Sequence, residues 1–250
     1  VTRIGKRAFS GCPNLTDVTI PASMAVVDNG AFSGCSNLKG VHISNLVNWC
    51  QITFVYSSNP LRQAHELYLN GERVTRLAIP ESVTAIGDDA FAGCSGLTEV
   101  AFPNSVTNIG NSSFMGCSGL MELALPSSVV KIGTWAFRGC SGLTEVEIPH
   151  GVKVISGGVF LDCSSLTKIT VDPGNETYVS QKGLLLTKDG KTLMEGVNGT
   201  VVIPSSVTSI AYAAFAGRGG LTQVTLPNGI RTIDALAFSD CDSLTEVVIP

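Results

Sequence analysis

The chain has 250 residues, 44% hydrophobic and only 14% charged, with a formal net charge of −4 at pH 7. This mildly acidic balance lacks the basic stripe of a nucleic-acid binder. No apolar run nears the roughly 20 residues that a bilayer-crossing helix needs, so the apolar residues belong to a core.

The pattern is already running where the chain opens. Val1-Thr2-Arg3-Ile4-Gly5 aligns with Val83-Thr84-Ala85-Ile86-Gly87, and Val247-Val248-Ile249-Pro250 closes the chain inside another copy. Open ends of such an array would expose core, so the chain is read as a segment of a longer protein whose export signal, if it has one, lies elsewhere. Phe9, Phe32, Phe91, Phe114, Phe137, Phe160, Phe215 and Phe238 stand 23 residues apart, save for gaps of 59 and 55 that equal one period plus 36 and 32 residues. A fixed period in the twenties means that each repeat is one structural turn, able to bury its apolar face only against its neighbours.

Within a repeat, the segment from Leu97 reads LTEVAFPNSVTNIGNSSFMGCSG. Val100 and Phe102, two apart, belong to the inner face of a strand with Ala101 outward. Leu15, Leu38, Leu97, Leu120, Leu143, Leu166, Leu221 and Leu244 hold the opening column, and Pro103, Pro126, Pro149, Pro204 and Pro227 end the strands, where a missing amide donor costs least. A second short apolar pair, such as Val106 and Ile109, precedes the Phe and Cys columns. The residue before the Cys column is only ever Gly or Asp, which predicts a left-handed turn position. The residue after the Ile column includes Ala211 and Ser156, so no positive φ is required there.

The opening L-x-x-L-x-L is the signature of leucine-rich repeats. The fuller pattern L-x-x-V-x-I-P-x-x-V-x-x-I-G-x-x-A-F-x-G-C-S resembles the BspA-like leucine-rich repeats over essentially the whole chain. The resemblance implies a right-handed solenoid, α/β by convention but β-rich, usually bacterial and secreted or at the cell surface. Members are credited with adhesion to host or matrix proteins, and no catalytic residues are carried over. The expected architecture is a single domain over 1–250, with ten strand segments in one main parallel sheet, short second strands, and a length of about 45–50 Å at roughly 4.8 Å per strand.

Two insertions, approximately 44–80 and 172–204, interrupt the period. Asn70-Gly71 in the first is the strongest short hairpin signal, a type I′ turn, and Asp189-Gly190 in the second is an equivalent. Both insertions read as β-hairpins leaving and rejoining the stack, either as decoration or as binding elements.

Seven of the eight cysteines fall in one column: Cys12, Cys35, Cys94, Cys117, Cys140, Cys163 and Cys241. Stacking at about 4.8 Å makes a disulfide ladder conceivable, but small buried thiols suit a core and free cysteines are the favoured reading. Arg218 interrupts the column beside Gly219-Gly220, and the turn is expected to deform so that its guanidinium reaches water. His42, His65 and His150 are scattered. Cys50 and His65 share an insertion, but Cys50 fits better as packing beside Trp49, and the chain is read as no enzyme. No cofactor or metal spacing is present. Sequons at Asn14, Asn111, Asn175 and Asn198 matter only for a eukaryotic source.

The outward positions of the main strands carry the candidate binding residues Asp17, His42, Glu99, Glu122, Glu145, Glu147, Lys168, Gln223 and Glu246. Four of these glutamates lie close together, which is locally unfavourable at strand spacing. They form either an acidic patch for a basic partner or bridging cation, or a solubilising face, the simpler account. Trp135, Tyr212 and Leu236 are candidate contacts on the opposite edge. The function expected is a non-enzymatic, surface-exposed module binding a protein or glycoprotein of host or matrix, without nucleic acid or a membrane span. The alternative is a spacer holding another domain away from the cell.

Overall fold

The period fixes how the strands pair. In the computed structural model, which describes residues 1–56 and 58–250, neighbouring regular repeats lie parallel and in a register offset by one repeat. Arg76 is opposite Glu99, Asn108 opposite Lys131, and Glu145 opposite Lys168. Two series of strands run along the solenoid. The main series comprises Asp17–Ile20, Gly40–Ile43, Glu66–Leu69, Arg76–Ala78, Glu99–Ala101, Glu145–Ile148, Lys168–Val171, Gly199–Val202, Leu221–Thr225 and Val247–Val248. A second series of mostly two-residue strands, such as Ala85–Ile86 and Asn108–Ile109, lines the other wall. The main series is not hydrogen-bonded as one sheet but in four stretches, interrupted at the insertions and again after Ala124, which makes only a single bridge to Ala101.

Between the walls, Phe91, Phe114, Phe137 and Phe160 are fully buried and stacked, with ring centroids 5.2, 5.5 and 5.9 Å apart and planes within 15° of parallel. These are favourable spacings for aromatic pairs. Phe102 is half-buried and meets Phe114 edge-on at 5.6 Å. At the ends of the stack burial falls away: Phe9 is 42% exposed.

The cysteines are free, and those within the stack are buried. Cys35, Cys117, Cys140, Cys163 and Cys241 donate to the carbonyls of Phe9, Phe91, Phe114, Phe137 and Phe215 at 3.1–3.3 Å. A small side chain with one weak donor suits this place, because each thiol satisfies a carbonyl from the previous turn.

Every residue before the Cys column has positive φ, between 55° at Asp240 and 87° at Gly93. No residue after the Ile column does. Glycine is used there for space, since a Cβ on Gly110 would lie 2.6 Å from Asp88 Oδ1. A second left-handed position, two residues before each Phe, was hidden by its varied occupants. Arg7, Asp89, Ser112, Trp135, Ala213 and Leu236 have φ between 52° and 60°.

The first insertion is more than a hairpin. It contains two four-residue helices, Leu46–Trp49 and Leu61–Ala64, and its strand Glu66–Leu69 pairs in parallel with Gly40–Ile43. It therefore supplies a turn of the solenoid. Asn59 ties it down, donating to the carbonyls of Asp89 and Ala90 at 2.8 and 2.9 Å, and Trp49 Nε1 donates to Ala90 at 2.8 Å. The Asn70-Gly71 hairpin is present, with φ of 53° and 88°.

The second insertion is a three-stranded antiparallel unit, Tyr178–Gln181, Leu184–Thr187 and Thr192–Glu195, whose last strand joins Ser209–Ile210 in parallel. Its tight two-residue turn is Lys182-Gly183, at φ 54° and 78°. At Asp189-Gly190 only the glycine is left-handed, so that turn is not the two-residue type expected. Asn175 in this insertion is fully buried, bonding the carbonyls of Pro149 and Val152 and the amides of Thr177 and Tyr178. A sequon asparagine so enclosed is a structural anchor.

Arg218 overturns an expectation. It does not reach water: it is fully buried. Its Nη1 donates to the Phe160 carbonyl at 2.7 Å and its Nε to Gly196 at 2.9 Å, while its Nη2 faces Glu195 Oε2 at 3.4 Å. The guanidinium bonds a Phe carbonyl of the preceding repeat, as the thiols do, and the insertion supplies the counter-charge. The rule that a buried guanidinium needs partners held. The partner, Glu195, comes from the second insertion, for which neither decoration nor a binding role predicts a place in the core.

Candidate functional site

Alternation along the strands buries one set of side chains and turns the other outward: Val146 and Ile148 are enclosed while Glu145 and Glu147 are exposed. The outward residues of successive turns form a continuous face, on which the candidate residues fall into three groups.

The first group is built around a glycine. Asp17 Oδ1 lies 3.1 Å from His42 Nε2, and His42 stacks on Tyr68 with centroids 4.6 Å apart. The bond from His42 holds the Asp17 carboxyl below its ordinary range. Tyr68 donates to Glu66 at 2.8 Å, and Arg73 pairs with Glu66 at 2.7 Å. Gly40 leaves the room, as a Cβ there would lie 2.6 Å from Asp17 Oδ1. Glu66, Tyr68 and Arg73 were missed because they belong to the first insertion. The available signal was Glu66-Leu67-Tyr68-Leu69, which repeats the alternation of Glu99-Val100-Ala101-Phe102 with Ala64 in the leucine column.

The second group holds the glutamates. Arg76 pairs with Glu99 at 2.9 Å and Lys168 with Glu145 at 3.0 Å. Glu122 and Glu147 have no ion-pair partner among the described residues. Glu122, Glu145 and Glu147, with Met121, His150 and Asp172, line a cleft of about 590 Å³. His150 Nδ1 lies 3.6 Å from Asp172 Oδ2.

The cleft follows a break in the ladder. Lys39, Thr98 and Thr167 each donate a backbone N–H to the carbonyl one turn back, on Thr16, Thr75 and Thr144, at 2.7–2.8 Å. Thr144 makes no such bond to Met121, and among the described residues no backbone hydrogen bond joins 121–125 to 144–148. Glu122 and Glu145 occupy the facing positions, an arrangement that disfavours strand pairing. Met121, 64% exposed, stands where Thr98 and Thr167 use their hydroxyls to bond the previous turn.

The third group, Gln223 and Glu246, lines a smaller cleft of about 210 Å³ with Thr225 and Val248. On the opposite edge Trp135 and Tyr212 pack on Leu161, Ala213 and Ala216, and Arg138 lies 5.5 Å over the Trp135 ring while bonding Asp162 at 2.8 Å. These two rings therefore pack against the protein itself, whereas Leu236 is 51% exposed.

Cys50 is buried and its thiol pushed up to about 12 by desolvation, while His65 Nδ1 lies 3.0 Å from the Gly93 carbonyl. Among the described residues no group of three or more His, Cys, Asp or Glu could hold a metal ion. Among the described residues no helix is long and apolar enough to cross a membrane.

A family model described as the BspA type leucine rich repeat region matches residues 1–65, 64–182 and 198–250, in six copies. A solved leucine rich cell surface protein from Faecalibacterium prausnitzii A2-165 is 26% identical, with all of this chain and 71% of that one covered and a TM-score of 0.62. A leucine-rich repeat protein from Eubacterium ventriosum ATCC 27560 is 22% identical over 90% of this chain and 51% of its own, with a TM-score of 0.58. The pneumococcal vaccine antigen PcpA is 22% identical over 100% of this chain and 56% of its own, with a TM-score of 0.56. At that identity the last two bear on the fold alone. The chain spans about half the length of those two structures. No curated protein matches it.

Proposed function

The chain belongs to the BspA-type leucine-rich repeat family, and on that premise we propose that it is a surface-exposed, non-enzymatic module that binds a protein or glycoprotein partner through the outward face of its main sheet. Residues 1–250 act as one solenoid in this reading. The observation that carries it is the pair Glu122 and Glu147, exposed and without ion partners, beside a cleft on a face whose neighbouring charges are already paired. A rigid face held by a packed core loses little conformational freedom on binding, so modest contacts can add up to useful affinity. An extracellular or cell-surface setting is supported by the Faecalibacterium neighbour, described as a cell surface protein. The partner class is a host or matrix protein. The test is binding of the purified chain to a panel of immobilised matrix proteins and host glycoproteins at physiological salt. Saturable binding that weakens when Glu122 and Glu147 become Gln supports the proposal. A chain that binds nothing on the panel is a spacer.

A further inference from the structure

We infer that the break between residues 121–125 and 144–148 is a docking site for an extended, lysine- or arginine-bearing segment of a partner protein, which adds as a strand to the open ladder. This rests on the protein-binding reading above and specifies how the face is used.

Three observations converge. First, the main-chain groups along the break are not satisfied by each other. Thr144 lacks the bond to the preceding turn that Lys39, Thr98 and Thr167 make, and Leu125 lacks the forward bond that Ile79 makes to Ala101 and Ile203 to Thr225 at 3.0–3.1 Å. An open row of amides and carbonyls is a template for another strand, and extended peptides use such rows for affinity while their side chains select the partner. Secondly, each side of the break is anchored elsewhere. Glu145–Ile148 is fully paired on its far side with Lys168–Val171, and the 121–125 segment is held by the Ala101–Ala124 bridge and by Met121 N–H on Thr98 at 3.4 Å. The two free edges therefore face one cleft and belong to a folded scaffold. Thirdly, the charge selects the occupant. Glu122, Glu145, Glu147 and Asp172 line the cleft, and Lys168 is already paired with Glu145. An acidic strand or a second copy of this edge would bring carboxylates against carboxylates. A strand alternating basic and apolar residues would set its basic side chains toward Glu122 and Glu147, with Met121 offering an apolar contact at the mouth.

The experiment uses the intact chain and a short synthetic peptide of alternating lysine and valine. A second peptide has the same side chains but is N-methylated at every second residue, and a third has glutamate in place of lysine. Affinities are measured by fluorescence anisotropy at low and physiological salt, and amide exchange is followed in the chain. The expected result is that the unmodified basic peptide binds about tenfold or more tightly than the N-methylated one, that the acidic peptide does not bind, and that exchange slows at Thr144 and Leu125. Equal binding of both basic peptides would overturn strand addition while leaving an electrostatic binding face in place. Failure of both basic peptides, with the matrix and glycoprotein panel positive, would also overturn this docking mode and leave the broader reading intact. A concentration-dependent dimer that protects the same amides without peptide would assign the edge to a second copy and overturn the inference.

Discussion

Arg218 and Glu195 face each other at 3.4 Å inside the solenoid, the guanidinium wholly enclosed and the carboxylate 2% exposed. Arg218 occupies the column that cysteine fills in the other repeats, and Glu195 arrives on the last strand of the second insertion. A buried ion pair is costly to break from one side and can be replaced as a whole by apolar residues. Above about pH 7, where Glu195 is ionised, Arg218→Met alone should therefore destabilise the chain by about 3–5 kcal/mol, because Glu195 is left without its counter-charge. Adding Glu195→Leu should recover all of that loss or more. Urea midpoints of the two variants and the parent decide it, and a single variant within about 1 kcal/mol of the parent would show that the pair is not buried as described.

Burial raises the Glu195 carboxyl from 4.5 to about 7, against the opposing pull of Arg218 and of backbone hydrogen bonds. The folded chain then keeps this proton at pH values where the unfolded chain has lost it. Its contribution to stability is fully present below about 4.5 and is lost as pH rises through about 7, on the order of 3 kcal/mol in all. The stability of the parent should fall across that window relative to Glu195→Gln, which has nothing to titrate there. Parallel pH curves for the two proteins would refute the shift.

How far these features could be read beforehand depends on what leaves a periodic trace. The Phe stack, the parallel register and the left-handed position before the cysteine column were legible because phenylalanine recurs eight times at one place and only glycine or aspartate at the other. The second left-handed position was not, since Arg7, Ser112, Trp135 and Leu236 accept the strain there with no shared chemistry. The place of Glu66–Leu69 in the main sheet was obscured by Ala64 in the leucine column and by the helices before it. Of the candidate site, the sequence showed which residues face outward. The pairs Arg76–Glu99 and Glu145–Lys168 stand one period apart and follow from the legible register. The break at Thr144 left a trace in Met121 and in the run of glutamates, but Glu99 and Glu122 are also one period apart and the bridge Ala101–Ala124 still forms there, so like charges alone do not locate it.

The two left-handed glycines Gly93 and Gly116 should separate backbone strain from docking of the first insertion. A Cβ on Gly116, at φ 74°, would meet nothing nearer than 3.7 Å, so Gly116→Ala should cost only the left-handed penalty of about 1–2 kcal/mol. On Gly93, at φ 87°, it would lie 2.7 Å from the Arg62 Cα and the Leu61 carbonyl. Gly93→Ala should be clearly the more damaging and should loosen the helix Leu61–Ala64. Equal losses for the two, with no rise in proteolysis within the insertion, would mean that the helix is not seated on Gly93.

Alkylation should sort the thiols by depth. Cys12 is exposed, whereas Cys94 and Cys163 are buried and pushed up to about 12 by desolvation. Because the thiolate is the reactive form, brief iodoacetamide treatment of the native chain near pH 8 should label Cys12 first and leave the buried column untouched. After denaturation without reductant, all eight should react. Fast labelling of Cys140 in the native state would contradict the packed core.

The last prediction concerns Glu122 and Glu147, the carboxylates on the cleft without ion-pair partners. Replacing all four clustered glutamates would also strip Arg76 and Lys168 of Glu99 and Glu145, so Glu122→Gln with Glu147→Gln is the cleaner change. Exposed pairs and repulsions contribute roughly 0–1 kcal/mol, so this double variant should be as stable as the parent or slightly more so. Its binding to a basic partner should nevertheless weaken severalfold. Screening over about 8 Å at physiological ionic strength mimics the loss of these charges, so the parent should lose affinity with added salt and the variant should lose less. Glu99→Gln with Arg76→Gln, which removes a paired charge from the same face, serves as the control and should leave binding nearly unchanged. If the control weakens binding as much as the double variant does, the whole face acts as a diffuse negative field, and Glu122 and Glu147 have no special part in recognition.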